Sequence, residues 1–131
     1  MTSIDRPLAA DVLVFHLADE RTHASDPAIL ARSGRNARTL LKDGALRVTL
    51  ITLAAGGAIA EHHATGPITV HVLDGALRFG AAGTEYSLDS GDLLSLGAGI
   101  HHSVASDTGA TFLLTIGAPP GSTHQASTAV I

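Results

Sequence analysis

Short apolar runs separated by glycine turns dominate the chain from Ala37 onward. Leu46–Leu53 is rich in β-branched and aliphatic residues, and Ile68–Leu73 alternates between outward and inward positions. The dipeptides Asp43-Gly44 and Asp74-Gly75 predict tight turns next to these runs. Runs of this kind recur about every 8–12 residues and give about seven or eight short strands, a spacing typical of a β-sandwich or barrel.

The two ends of the chain have a different pattern. Asp11–Leu17 could form a short strand or edge segment, and Ser25-Asp26-Pro27 precedes an apolar stretch in the manner of a capped helical turn. We therefore expect an N-terminal arm over residues 1–33 and a β domain over residues 34–118. The small, polar residues 119–131 are expected to form a flexible tail.

The composition argues against nucleic-acid binding, membrane insertion and thiolate metal sites. Hydrophobic residues make up 45% of the 131 residues, charged residues only 15%, and the formal net charge is −4. Such a chain can bury a core, but it lacks the basic surface that nucleic acid requires. No apolar stretch is long enough to span a membrane, and no secretory signal is recognisable, so we expect a cytoplasmic protein without membrane contact. The chain has no cysteine, which excludes disulfides and thiolate metal sites.

Histidine is the residue type that suggests chemistry. The chain has eight histidines, equal to its total of lysine and arginine, and four of them form the pairs His62-His63 and His101-His102. Aromatic residues are only 3% of the chain, so a base-stacking surface or an aromatic cage is not expected. Neutral imidazole is a ligand suited to divalent transition metals.

The glycines around these pairs have a specific spacing. Gly56 is followed after five residues by His62, and Gly75 closes that segment. Gly91 is followed after five residues by Gly97, then by Gly99 and His102. This layout resembles the two motifs of the cupin superfamily over residues 35–118, and more closely a group of small bacterial single-domain cupins. The resemblance implies a double-stranded β-helix, or jelly-roll barrel, with His62 and His102 as metal ligands, and a homodimer.

Two of the four ligand positions of the cupin motifs differ in this chain. The second histidine of the first motif falls on Ala64, and the glutamate falls on Ile68. Strict strand alternation places His62, Ile68 and Val70 inward and His71 outward. A β-bulge in the link of residues 64–67 would reverse this phase and turn His63 or His71 inward. Both possibilities remain open from the sequence.

Two main functional hypotheses follow, and whether the protein is an enzyme stays open. The first is a mononuclear metal-binding cupin that acts on or binds a small organic molecule, with zinc, iron, nickel or manganese as the ion. The second is a metal-free cupin that binds a small molecule as a sensor or storage module. A dimeric scaffold without a ligand is a third, structural hypothesis. The candidate metal ligands are His62, His102, His63 and His71, and the candidate pocket residues are Glu61, Ile68, Val70 and His101.

Overall fold

A computed structural model describes residues 6–117 of the chain. The described part contains two short helices followed by eight strands. Neither helix is long and apolar enough to cross a membrane. The helices are α1 (Leu17–His23) and α2 (Pro27–Ser33), and the strands are β1 (Arg35–Asp43), β2 (Leu46–Leu53), β3 (Ala58–His62), β4 (Ile68–Ala81), β5 (Thr84–Asp89), β6 (Leu93–Leu96), β7 (His102–Ala105) and β8 (Ala110–Gly117).

All strand pairs are antiparallel, and together they form one curled sheet, a half-barrel. The strand order is β1-β2-β8-β4-β7-β3, and β5 and β6 also pair with β4. The first half of β4 pairs with β6 and β8, whereas its second half pairs with β5 and β7. The all-β jelly-roll architecture predicted from the sequence is confirmed.

The core lies on the concave face of this sheet. Ile68, Val70 and Val72 of β4 are buried, while His71 between them is only partly covered. This confirms strict alternation along the first half of the strand, and a phase reversal in the link of residues 64–67 does not occur. The core cluster also draws on β2, β7 and β8.

The predicted turn at Asp74-Gly75 is wrong, because β4 runs through it without interruption. The register with β8 shifts between Val72 and Asp74, so one extra residue, Leu73, forms a bulge there. Inward positions therefore change from even to odd numbers, and Phe79 faces the core in the second half of β4. Asp-Gly is favourable in a bulge for the same reason as in a turn, since Gly75 has a φ of +80°.

The N-terminal arm folds over the outer face of the sheet. Of the two possibilities for Asp11–Leu17, the short strand does not form, since helix α1 begins at Leu17 and the residues before it are irregular. The predicted cap of α2 is confirmed, because the Asp26 carboxylate accepts hydrogen bonds from the backbone N–H of Ala28 and Ile29. An ion pair of 2.6 Å between Arg38 of β1 and Glu20 of α1 attaches the arm to the sheet.

A second apolar cluster, on the outer face of the sheet, covers part of the surface on which the expected homodimer was based. The outward side chain Leu73 packs against a second apolar cluster built around Ala24, Leu40 and Leu50, to which the arm also contributes Phe15 and Leu17. The apolar outward positions of β4 are thus partly covered by the chain's own arm. The homodimer and the arm, barrel and tail boundaries stay predictions, and the tail lies outside the described residues.

We expect Gly75→Ala to destabilise the protein far more than Gly83→Ala. Both glycines have a φ of +80°. An added Cβ at Gly75 would collide with the Gly109 carbonyl oxygen and lie 2.8 Å from the Ala110 Cα, whereas a Cβ at Gly83 meets nothing within 4 Å. Gly83→Ala should lower the free energy of unfolding by about 1 kcal/mol and Gly75→Ala by more than about 3 kcal/mol. Urea denaturation of both variants measures this difference, and equal losses would contradict the close packing.

Candidate functional site

Two imidazoles meet inside the barrel where β3 and β7 pair. His62 and His102 are directly opposite each other in the strand register, and their ring centroids are 4.3 Å apart at an interplanar angle of 60°. The register shifts between Ile59 and His62. This irregularity lets Ile59 and His62 both face inward although they are three residues apart. His102 is only 2% exposed.

The backbone fixes the orientation of both rings. The Nδ1 atom of His62 lies 2.8 Å from the Ala60 carbonyl oxygen, and that of His102 lies 3.1 Å from the Ile100 carbonyl oxygen. A carbonyl only accepts, so each Nδ1 donates its proton, and the Nε2 of a neutral ring keeps its lone pair. Both Nε2 atoms are buried and have no hydrogen-bond partner among the described residues. The pair therefore presents two buried, unpartnered acceptors.

The surroundings of His102 favour a neutral ring. Phe79 stacks on His102 with a centroid distance of 5.4 Å and an angle of 9°. Burial lowers the pKa of His102 below its ordinary value of 6.5, and the neighbouring His62, His101 and His63 lower it further, whereas the hydrogen bond to Ile100 opposes the shift. His102 is therefore neutral at pH 7 and serves as an acceptor through Nε2.

A second, exposed pair lies beside the first. The rings of His63 and His101 stack at 4.8 Å with an angle of 21°, and both residues are exposed. Four histidines that the sequence singled out thus come together at this end of β3 and β7.

The other predicted site residues lie elsewhere. His71 is paired with Leu93 and Leu113 in the register of β4, and its side chain points away from the face that carries Val70. Glu61 is exposed, while Ile68 and Val70 are packed in the core. The structure therefore groups His62, His63, His101 and His102 and leaves His71 and Glu61 outside the buried pair.

An apolar groove that the sequence analysis missed opens between β5 and β6. Its volume is about 380 Å³. Ala81 lines the groove and is the register partner of His102, so the groove begins one register position from the imidazole pair, whose rings are not among its lining residues. The alternating apolar residues of β5 and β6 are the signal that could have indicated it. The lining residues are Ala81, Ala82, Tyr86, Leu88, Leu93, Leu94, Ser95 and Leu96.

Solved structures share this architecture, although no protein-family model and no curated protein matches the chain. A cupin superfamily protein from Desulfitobacterium hafniense aligns with a TM-score of 0.63 at 18% identity, over 64% of this chain and 77% of that chain. An RmlC-like cupin from Shewanella frigidimarina aligns with a TM-score of 0.63 at 19% identity, over 66% and 78%. This chain has the cupin fold. A conserved protein of unknown function from Streptococcus pyogenes aligns with a TM-score of 0.68 at 21% identity, over 88% and 95%.

The imidazole pair matches part of a cupin metal site. A metal-bound histidine donates its other ring N–H to a carbonyl or carboxylate, as His62 and His102 do, so the pair fits half of such a site. The other two ligand positions of the cupin motifs hold Ala64 and Ile68, which are buried in the apolar core. Within residues 6–117, no group of three or more suitable side chains could hold a metal ion. Firm binding takes about three protein ligands, so the described residues do not fit a resident metal ion.

We expect the stability of this domain to fall on acidification because the pKa of His102 is lowered in the folded state. The unfolded chain takes up a proton near pH 6.5, and the folded chain does so only at lower pH. The contribution of His102 to the free energy of unfolding is therefore fully present above pH 6.5 and is lost as the pH falls from there through the folded-state pKa. Thermal unfolding between about pH 8 and about pH 5 measures this loss.

His102→Asn is the matched variant for this prediction. The asparagine amide can still donate to the Ile100 carbonyl but does not titrate, so the variant should show a flatter pH dependence of Tm. His23→Asn, at an exposed position of α1, should follow the parent protein. Equal slopes in His102→Asn and the parent would contradict the assignment to His102.

Proposed function

We propose that this protein binds a small, uncharged organic molecule in the β5–β6 groove and recognises it through the Nε2 atoms of His62 and His102. The observation that supports the proposal is the pair of buried acceptors without a partner. An unsatisfied buried acceptor costs about 1–3 kcal/mol, so a ligand that donates to it gains affinity. The proposal assigns no resident metal, because Ala64 and Ile68 supply no ligand atoms.

The groove supports an apolar ligand with few polar groups. Its volume of about 380 Å³ lies within the usual range for small-molecule sites. None of its lining residues is charged, and the hydroxyls of Tyr86 and Ser95 are its side-chain polar groups. A carboxylate ligand would meet the Nε2 lone pair of the neutral His102 rather than a donor. The complementary ligand is therefore a neutral molecule that carries an O–H or N–H group.

The metal-dependent hypothesis and this proposal predict different metal contents for the purified protein. We expect elemental mass spectrometry of the untagged protein to find less than about 0.1 equivalent of zinc, iron, nickel or manganese, since two imidazoles do not hold an ion firmly. His62→Ala should leave that low content unchanged. A stoichiometric metal that disappears in His62→Ala would contradict the proposal and establish a metal-binding cupin instead.

Phenol and anisole provide a matched test of the donor requirement. They have nearly the same shape, but only phenol donates a hydrogen bond. We expect phenol to shift the methyl resonances of Leu94 and Leu96 and to bind about tenfold more tightly than anisole, the effect of one hydrogen bond of about 1.4 kcal/mol. Titrations followed by NMR measure both affinities.

Two histidine variants locate the acceptor in the same titrations. In the double variant His62→Asn/His102→Asn the preference for phenol over anisole should disappear, because both Nε2 acceptors are lost. His101→Asn, which changes the exposed pair, should keep the preference. Equal binding of phenol and anisole by the parent protein, or no binding of either, would refute the proposed recognition.

A further inference from the structure

The one charged residue of β2, Arg47, lies on the concave face of the sheet. β2 and β8 keep an unbroken register, in which Arg47 is opposite Ile116 and Thr49 is opposite Leu114. Residues opposite each other share a face, and Ile116 and Leu114 belong to the concave core. Arg47 is partly buried, and its Nε atom is buried. A guanidinium group is therefore built into the end of an otherwise apolar face.

A second cation lies directly beside this guanidinium on the neighbouring strand. Lys42 of β1 is the register partner of Arg47, so the two side chains share the concave face with their Cβ atoms about 5 Å apart. Lys42 is exposed and forms no ion pair with any other described residue. Like charges directly opposite each other destabilise a sheet, so this cation pair favours an anion that binds to both groups.

The nearest acidic side chains do not neutralise the cation pair from the same face. Among the described residues of β1, β2 and β8, Asp43 is the one acidic residue. It follows Lys42 directly and is paired with Leu46, so it lies on the opposite face. Glu20 of the arm accepts a hydrogen bond of 2.6 Å from Arg38 on the outer face. These strands therefore present a positive charge at this end of the concave face.

We propose that Lys42 and Arg47 bind the carboxylate of a small organic acid with an apolar body. A guanidinium group can bind a carboxylate through two parallel hydrogen bonds, and the lysine ammonium adds a second charge. On the side away from Lys42, the register row continues with Ile116 of β8 and Ile68 of β4. An anion with an apolar body suits these neighbours better than a fully hydrated inorganic anion does.

This carboxylate site is separate from the site of the proposed function. Leu96 of the groove lies in the same register row as Arg47, but three strands away, about 14 Å along the sheet. The buried imidazole pair offers acceptors, whereas Lys42 and Arg47 offer only donors. The inference therefore goes beyond the proposed function and does not depend on it.

Benzoate and benzamide provide a matched test of the charge requirement. They have nearly the same shape, but only benzoate carries a negative charge. We expect benzoate to shift the Nε–H resonance of Arg47 and to bind at least about tenfold more tightly than benzamide. The preference should shrink as the ionic strength rises from about 0.05 M to about 0.5 M. Titrations of the full chain followed by NMR measure both effects.

Three variants locate the carboxylate in the same titrations. Arg47→Gln should weaken benzoate binding at least about tenfold, and Lys42→Gln about fivefold, because the lysine is exposed. Since Lys42→Gln changes an exposed side chain, it tests the site even if Arg47→Gln fails to fold. Arg35→Gln is the matched control, because Arg35 lies on the same strand and face but opposite the apolar Leu53. It should bind benzoate as the parent protein does.

The outcomes separate this inference from the proposed function. No binding of benzoate, equal binding of benzoate and benzamide, or an unchanged benzoate affinity in folded Lys42→Gln overturns the inference. Tighter binding of inorganic phosphate than of benzoate overturns the assignment to an apolar carboxylate. Benzoate binding that is weakened in Lys42→Gln, in a protein that does not prefer phenol over anisole, would support the inference and refute the proposed function.

Discussion

The close approach of the Gly109 carbonyl to Gly75 constrains how the long strand β4 crosses the sheet. A side chain at residue 75 could not fit there, and the left-handed backbone conformation of Gly75 lets β4 continue past the bulge at Leu73. One strand of fourteen residues can then pair with β6 and β8 in its first half and with β5 and β7 in its second half. The bulge keeps the apolar side chains of both halves on the concave face, and so it places Phe79 against His102.

Much of this fold could be predicted because one face of each strand is buried. The alternation Ile68, Val70, Val72 specifies its phase strongly, since a slip of one residue would expose the whole set. Asp74-Gly75 could not be interpreted in the same way, because a turn and a bulge use the same left-handed glycine. Only the partner strand β8, distant in sequence, distinguishes the two. The segment Asp11–Leu17 forms no strand, because Phe15 and Leu17 pack against the outer face of the sheet, whereas Val12 and Val14 stay exposed.

Part of the candidate site could also be predicted from the sequence, and part of it could not. Glycine spacing brought His62 and His102 together in the sequence analysis, and the structure places their rings 4.3 Å apart. The groove was missed because its wall comes from β4, β5 and β6, and no local pattern records that these strands enclose a space. The donor requirement of the proposed ligand also depends on the tautomers, which follow from two backbone carbonyls that only the folded chain brings into range.

The carbonyl that orients each imidazole comes from the residue two positions earlier on the same stretch of chain, Ala60 for His62 and Ile100 for His102. Each ring is therefore aligned by its own backbone and does not depend on the opposite ring. Loss of one histidine would leave the other with the same tautomer and the same direction. The two imidazoles are thus oriented independently of each other. A related chain could therefore gain or lose one of them while the other keeps its orientation and the barrel stays folded.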